Sequence, residues 1–114
     1  MVKSNIESVL QHHGQALMSG NIDEVLKDYT NDSVLFTPSE TYKGLNDIKK
    51  GFVAVTKMLT PEVAANFKTA KQEIQGEYAY VHWAAPPAIP FGSDTFYIHN
   101  GKIMMQSVFF SAVH

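Results

Sequence analysis

Apolar residues in the first third of the chain recur three or four positions apart. Ile6, Val9, Leu10, His13, Ala16 and Leu17 form one stripe, which predicts an amphipathic helix over residues 4–19. Ser4 with Glu7 three residues on has the form of a capping box at its start, and Ser19-Gly20-Asn21 ends it. Val25, Leu26 and Tyr29 give the inner face of a shorter helix from Ile22 to Tyr29. Asn31-Asp32 is turn chemistry, Ser33–Thr37 reads as a short strand, and Thr41–Lys43 pairs back on it beyond a turn at Pro38-Ser39-Glu40. Ile48, Phe52, Val55 and Leu59 define a third helix over Leu45–Leu59, with Gly51 as its weak point.

From Val63 onward the pattern becomes β-rich. Strands are predicted over Ala64–Gln75, Tyr78–Ala85, Thr95–His99 and Ile103–Val113. Asn100-Gly101 between the last two is a two-residue hairpin signal, because both positions tolerate positive φ. Pro86, Pro87 and Pro90 exclude residues 86–90 from a central strand. The order is therefore two helices, a small hairpin, a third helix and a four-stranded antiparallel meander. A sheet of that length curls, and three helices can cover one face, enclosing a pocket open at one end. The other face is left to water or to a partner subunit.

Composition narrows the chemistry. The 114 residues fit a single domain spanning 1–114, and 45% hydrophobic with 18% charged residues supports a packed core. Nine lysines, no arginine and a net charge of −2 leave no basic field for phosphates, so nucleic acid is not an expected partner. The absence of cysteine excludes disulfides and thiolate chemistry. No apolar run reaches the roughly 20 residues that cross a bilayer, and the first residues lack the apolar block of a signal peptide, so a cytoplasmic location without membrane attachment is expected. His12 and His13 diverge by about 100° on a helix, and no metal-binding spacing of His with carboxylates occurs, so no metal is expected. Without a glycine-rich phosphate loop, no nucleotide or other cofactor is indicated.

Three motifs, in this order and spacing, resemble the nuclear transport factor 2-like cone fold. They are Gly20-Asn21-Ile22-Asp23 with Tyr29-Thr30-Asn31-Asp32-Ser33-Val34; Tyr42-Lys43-Gly44-Leu45 with Ile48 and Phe52; and Gly92 through Ile103. The resemblance covers essentially the whole chain and points to the SnoaL-like branch, which includes polyketide cyclases and ketosteroid isomerases. It implies an α+β, cystatin-like roll: a cone-shaped, curved antiparallel sheet covered on its concave face by three helices. Such a fold hosts enzymes, binding modules and interaction domains, so function has to be argued from the site.

Asp94 is the first candidate. Strand alternation puts it on one face with Phe96 and Ile98, where desolvation raises a carboxyl pKa and would keep it protonated, able to donate a hydrogen bond. The resemblance places it at the hydrogen-bond-donating acid of ketosteroid isomerases. The plainer reading is an ionised residue capping the Gly92-Ser93 turn. His13 is the second. Its stripe position aims it inward while His12 faces solvent, and the resemblance puts it at the family's oxyanion-binding tyrosine, although a lone histidine on an apolar stripe is more often core. The isomerase general base, by contrast, is replaced by Thr37, whose hydroxyl has no useful basicity, and one pocket tyrosine by Phe52, while Tyr29 is kept. Steroid isomerisation is therefore not expected, and any acid–base chemistry falls to His13, His82 or Asp94. On the strand from Tyr78, either Tyr78, Tyr80 and His82 or Ala79, Val81 and Trp83 face the cavity; the second, more apolar set is favoured.

The resemblance further places Met104, Gln106, Val108 and Phe110 inward and Ile103, Met105, Ser107 and Phe109 on the back. Both faces being apolar points to a homodimer through the convex side of the sheet. The expected function is binding of a small hydrophobic molecule bearing a carbonyl or hydroxyl, with lyase or isomerase chemistry. Asp94 and His13 would hold its oxygen, and Tyr29, Phe36, Thr37, Phe52, His82, Trp83, Gln106 and Phe110 are the candidate ligand-binding residues. The alternative is a non-catalytic ligand-binding or dimerisation module, which the loss of the acid at Thr37 favours.

Overall fold

The computed structural model describes residues 2–111, with side chains from residue 5 onward. Helix α1 runs Val2–Met18, α2 Ile22–Leu26, α3 Gly44–Met58 and α4 Pro61–Asn66. The strands are β1 Val34–Phe36, β2 Thr41–Lys43, β3 Lys68–Gln75, β4 Tyr78–Ala85, β5 Ile89–His99 and β6 Lys102–Ser111. They form one sheet in the order β2-β1-β6-β5-β4-β3. Every neighbouring pair is antiparallel except β1 with β6, which is parallel. The α+β class and the curved sheet with helices on one side agree with the expectation; the parallel pair and the fourth helix are additions to it. No helix among the described residues is long and apolar enough to cross a membrane.

The stripe on α1 packs as its spacing demands, with Ile6, Leu10, His13 and Ala16 all buried. The helix begins at Val2, so Ser4 lies inside its first turn rather than ahead of it; the Ser4 side chain of the expected capping box lies outside the described residues. Gly20, at a φ of 74°, takes the left-handed conformation that ends α1. Asn21 then caps α2 by accepting from the Glu24 amide at 3.1 Å. The second helix stops at Leu26, short of Tyr29, because β6 takes hold of the chain there: the Ile103 amide donates to the Asp28 carbonyl at 2.7 Å and Lys102 Nζ to the Lys27 carbonyl at 2.6 Å.

Residues 61–66, expected to lead into or begin a strand, are helical instead. Thr60 accepts from the Val63 amide at 3.2 Å and Pro61 occupies the first turn, a start signal that outweighs the apolar pattern beyond it. Strand β5 begins at Ile89, six residues earlier than expected. Pro90 is tolerated because the pairing with β4 is irregular between Trp83 and Ala85 and the pairing with β6 starts only at Phe91. The expected extension of β6 to Val113 lies outside the described residues. Asn100 and Gly101 make the predicted turn, with φ of 51° and 76°. Gly51 serves close packing: a Cβ there would sit 3.1 Å from Tyr42 and 3.2 Å from Leu35, so its lack of a side chain lets α3 settle on the small hairpin.

The register divides the sheet into two faces. Ala79, Phe96, Gln106 and Leu35 lie side by side across β4, β5, β6 and β1 on the concave face, and so do Trp83, Gly92 and Phe110. Tyr78, Tyr97 and Met105 alternate with them on the convex face. An irregularity between Tyr97 and Ile98 pairs Ile98 with Ile103 and skips Met104, which turns Ile103 into the core instead of onto the back of the sheet, where it was expected. Ser33, fully buried, ties the hairpin to β6: its hydroxyl donates to the Ile103 carbonyl at 2.6 Å and accepts from the Thr30 amide at 2.9 Å. Ser33→Ala strands both backbone groups, so a loss of about 2–3 kcal/mol is expected. Urea unfolding measures it, and a loss under about 0.5 kcal/mol would contradict this role.

Candidate functional site

Between α1, α3 and the concave face lies a cavity of about 640 Å³. Leu10, Leu35, Phe52, Phe96, Val108 and Phe110 are among the apolar side chains that line it. Its polar groups gather around one carboxylate. Asp94 on β5 accepts a hydrogen bond on each oxygen, from Trp83 Nε1 at 3.0 Å and from Gln106 Nε2 at 2.9 Å. Behind Gln106, the buried Tyr29 hydroxyl donates to Gln106 Oε1, which fixes the amide so that its NH₂ group faces Asp94. The indole reaches the carboxylate because residue 92 is glycine: a Cβ there would lie 2.3 Å from the Trp83 ring.

Burial raises the Asp94 pKa to about 6, against the lowering effect of its two hydrogen bonds. The carboxyl is thus mostly ionised at pH 7 and acts as an acceptor on both oxygens. The upward shift expected from the apolar surroundings is present, and the two neighbouring N–H groups offset part of it by stabilising the charged form.

His13 also lines the cavity and is 5% exposed. Its ring meets Tyr29, Phe52 and Phe96 edge-on at centroid distances of 6.1, 5.8 and 5.6 Å. Among the described residues Nδ1 has no hydrogen-bond partner, and burial, aided by the neighbouring His12, lowers the pKa to about 4, so the ring is neutral. His13 and Asp94 share the cavity without a hydrogen bond between them.

Of the other candidates, Phe52, Trp83, Gln106 and Phe110 line the cavity, and Val81 and Trp83 are the inward set on β4. Tyr29 stands one layer behind, as the support of Gln106. Three candidates lie elsewhere. Phe36 is 44% exposed on the convex face, because Leu35 is the residue of β1 that points inward. Thr37 turns the small hairpin, its hydroxyl bonded to the Glu40 carbonyl at 2.8 Å. His82 stacks on Phe91 at 4.6 Å on the convex face, as alternation with Val81 and Trp83 requires.

His12, expected to face solvent, is half-buried and bridges α1 to α2. Nδ1 lies 2.7 Å from Asp28 Oδ2 and Nε2 2.6 Å from Glu24 Oε2. Two carboxylate acceptors require a proton on each nitrogen, and the bonds to Glu24 and then Asp28 raise the His12 pKa. The four-residue spacing of Glu24 and Asp28 is the signal that could have revealed this bridge. Among the described residues no group of three His, Asp or Glu side chains is placed to hold a metal ion.

The two cavity titrations oppose each other. Between pH 4 and 6 the folded protein keeps a proton on Asp94 that the unfolded chain has released, so this contribution to stability falls as pH rises. Between pH 4 and 6.5 the unfolded chain binds a proton that His13 refuses when folded, so that contribution rises. Asp94→Asn removes the falling contribution alone. Relative to the unaltered protein the variant should gain stability from pH 4 to 6, by up to about 3 kcal/mol at about 1.4 kcal/mol per pH unit. Urea unfolding across that range reads it, and a pH-independent difference would contradict a raised carboxyl.

No protein-family model matches the sequence, and no curated protein sequence matches it. Solved structures do. An NTF2-like protein of unknown function from Burkholderia xenovorans superposes with a TM-score of 0.77 at 18% identity, covering 100% of this chain and 88% of the other. A SnoaL-like protein of unknown function from Burkholderia thailandensis gives 0.78 at 10% identity, covering 98% and 99%. The epoxide hydrolase/cyclase-like enzyme SalBIII, of pyran ring formation in the polyether salinomycin, gives 0.78 at 14% identity, covering 96% and 92%. The chain has the NTF2-like cone fold.

Proposed function

We propose that the protein binds a small, largely apolar molecule in its cavity and promotes proton transfer within it, with Asp94 as the base, in chemistry of the isomerase, lyase or cyclase type. One observation carries this reading: an ionised carboxylate with a pKa near 6 stands in an apolar cavity, oriented by Trp83 and Gln106. A base poised close to the working pH combines the correct protonation state with useful proton affinity. Neutral His13, which lines the same cavity, would hydrogen-bond a ligand carbonyl or hydroxyl. The likeness to an epoxide hydrolase/cyclase-like enzyme supports acid–base work on an oxygenated apolar molecule, while at 14% identity it carries no residue over.

A set of apolar ketones, epoxides and alcohols, followed through the fluorescence of the single tryptophan, tests it. Saturable quenching is expected with at least one class, together with turnover that Asp94→Asn lowers by about 100-fold or more. Binding without turnover would leave the non-catalytic module as the better reading, and absence of binding throughout would end the small-molecule reading.

For the convex face we propose a second copy of the chain as partner. Tyr78 is 58% and Phe109 53% exposed, an apolar surface that a lone chain leaves in water. On this face the middle strands carry Ser93, Thr95, Tyr97, Met105, Ser107 and Phe109, none charged, while edge strand β3 offers Lys71 and Glu73. A two-fold arrangement would match neutral centres and let opposite rim charges meet. Sedimentation velocity should show a dimer at micromolar concentration and a folded monomer for Phe109→Lys with Tyr80→Lys; a monomeric unaltered protein would refute the proposal.

A further inference from the structure

We infer that the cavity is suited to a lipophilic ammonium ion, an apolar body carrying one protonated amine that meets Asp94. The inference rests on the small-molecule reading above and specifies the charge of the occupant. Among the described residues lining the cavity, the only charged side chains are Glu7 on the rim and Asp94 inside; no lysine is among them and the chain has no arginine. His13, the one remaining basic group, is neutral. The carboxylate therefore stands in apolar surroundings with two neutral donors and no counter-ion. A half-buried anion in that condition gains most from a ligand that brings charge as well as a hydrogen bond. A carboxylate can accept about four hydrogen bonds, so the two it receives leave room for the occupant's N–H.

The walls point the same way. Trp83 stacks on Phe67 at 5.2 Å and lies 6.2 Å from Phe110, and Phe52 and Phe96 complete an aromatic lining. Aromatic faces attract a desolvated cation, whereas a carboxylate or phosphate would meet Asp94 with no positive side chain to offset the repulsion. A neutral alcohol supplies the hydrogen bond without the charge. With an ammonium bound, Asp94 is a counter-ion instead of a base, so such a ligand competes with any neutral substrate whose proton Asp94 takes.

Three probes with one apolar cage separate these cases: 1-aminoadamantane, 1-adamantanol and adamantane-1-carboxylate. Binding is read by Trp83 fluorescence and calorimetry. At pH 7.5 the amine should bind at least about tenfold more tightly than the alcohol, and the carboxylate should not saturate. The groups facing Asp94 are His13 from α1, Trp83 from β4, Gln106 from β6 and Tyr29 behind Gln106, with Glu7 on the rim. Of the four around it, His13 titrates near pH 4 and Tyr29 well above its usual range. Protonation of Asp94 should thus weaken amine binding about tenfold between pH 7.5 and 5.0 and leave the alcohol unchanged. Asp94→Asn should erase the amine's advantage and keep alcohol binding; Glu7→Gln should alter neither the preference nor its pH response. Should Asp94→Asn not fold, the pH series on the unaltered protein decides.

Equal binding of amine and alcohol, a pH-independent preference, tighter carboxylate binding or loss of the preference in Glu7→Gln would each overturn the ammonium inference while leaving the cavity reading in place. Failure of all three probes to bind would overturn the inference, and if the ketones, epoxides and alcohols also fail, the cavity reading falls with it.

Discussion

The interior of this cone is organised around a half-buried carboxylate that has, among the described residues, no positive partner. Asp94 is stabilised by two N–H groups from the strands on either side of its own, Trp83 on β4 and Gln106 on β6. That arrangement demands a particular register across three strands, a glycine at position 92 and a buried hydroxyl from Tyr29 to turn the Gln106 amide. Each requirement ties an element to the site: the meander holds the donors, and the chain that follows α2 delivers Tyr29. The polar cluster and the sheet geometry therefore specify one another, since slipping any of the three strands by one residue would turn its member to the other face.

Neutral donors have a chemical consequence that a lysine partner would not. A cation beside Asp94 would hold its proton affinity down near that of an exposed carboxylate, whereas amide and indole N–H groups offset burial only in part. The group remains charged at neutrality and keeps an appetite for a proton. His13 is the complementary case: aromatic rings surround it, nothing among the described residues accepts or donates at Nδ1, and its ring stays uncharged. One apolar enclosure holds an acid made less acidic and a base made less basic.

Much of this was legible in residue order. The α1 stripe, the α3 stripe, the Asn100-Gly101 turn and the alternation at Val81 and Trp83 report periodicities that backbone geometry converts directly into faces. Asp94 and His13 could be placed in one cavity for the same reason. What escaped depended on contacts distant in sequence or on competing local signals. The two hydrogen bonds that oppose the effect of burial on Asp94 come from Trp83 and Gln106, which lie 11 and 12 positions away and meet it only through strand register. Helix α4 was hidden because the Thr60-Pro61 start signal precedes a segment too short to show a helical period. Thr37 enters the candidate site through likeness of position and Phe36 as its apolar neighbour, yet the two-residue period of β1 sends Leu35 inward and Phe36 outward. His12 reads as solvent-facing because a residue pointing off the apolar stripe is ordinarily solvated, and only the α1–α2 approach brings Glu24 and Asp28 to it.

Where the indole lies across Gly92, the wall of the cone is a single peptide strand thick. Its inner surface is the tryptophan ring, while Phe91 and Ser93, the residues on either side, turn to the outside. Whatever presses on the indole from within leans on the same few backbone atoms that a neighbour gripping Phe91 would hold from without, so the interior and the exterior of this molecule share a membrane-thin partition at the residue that has no side chain to thicken it.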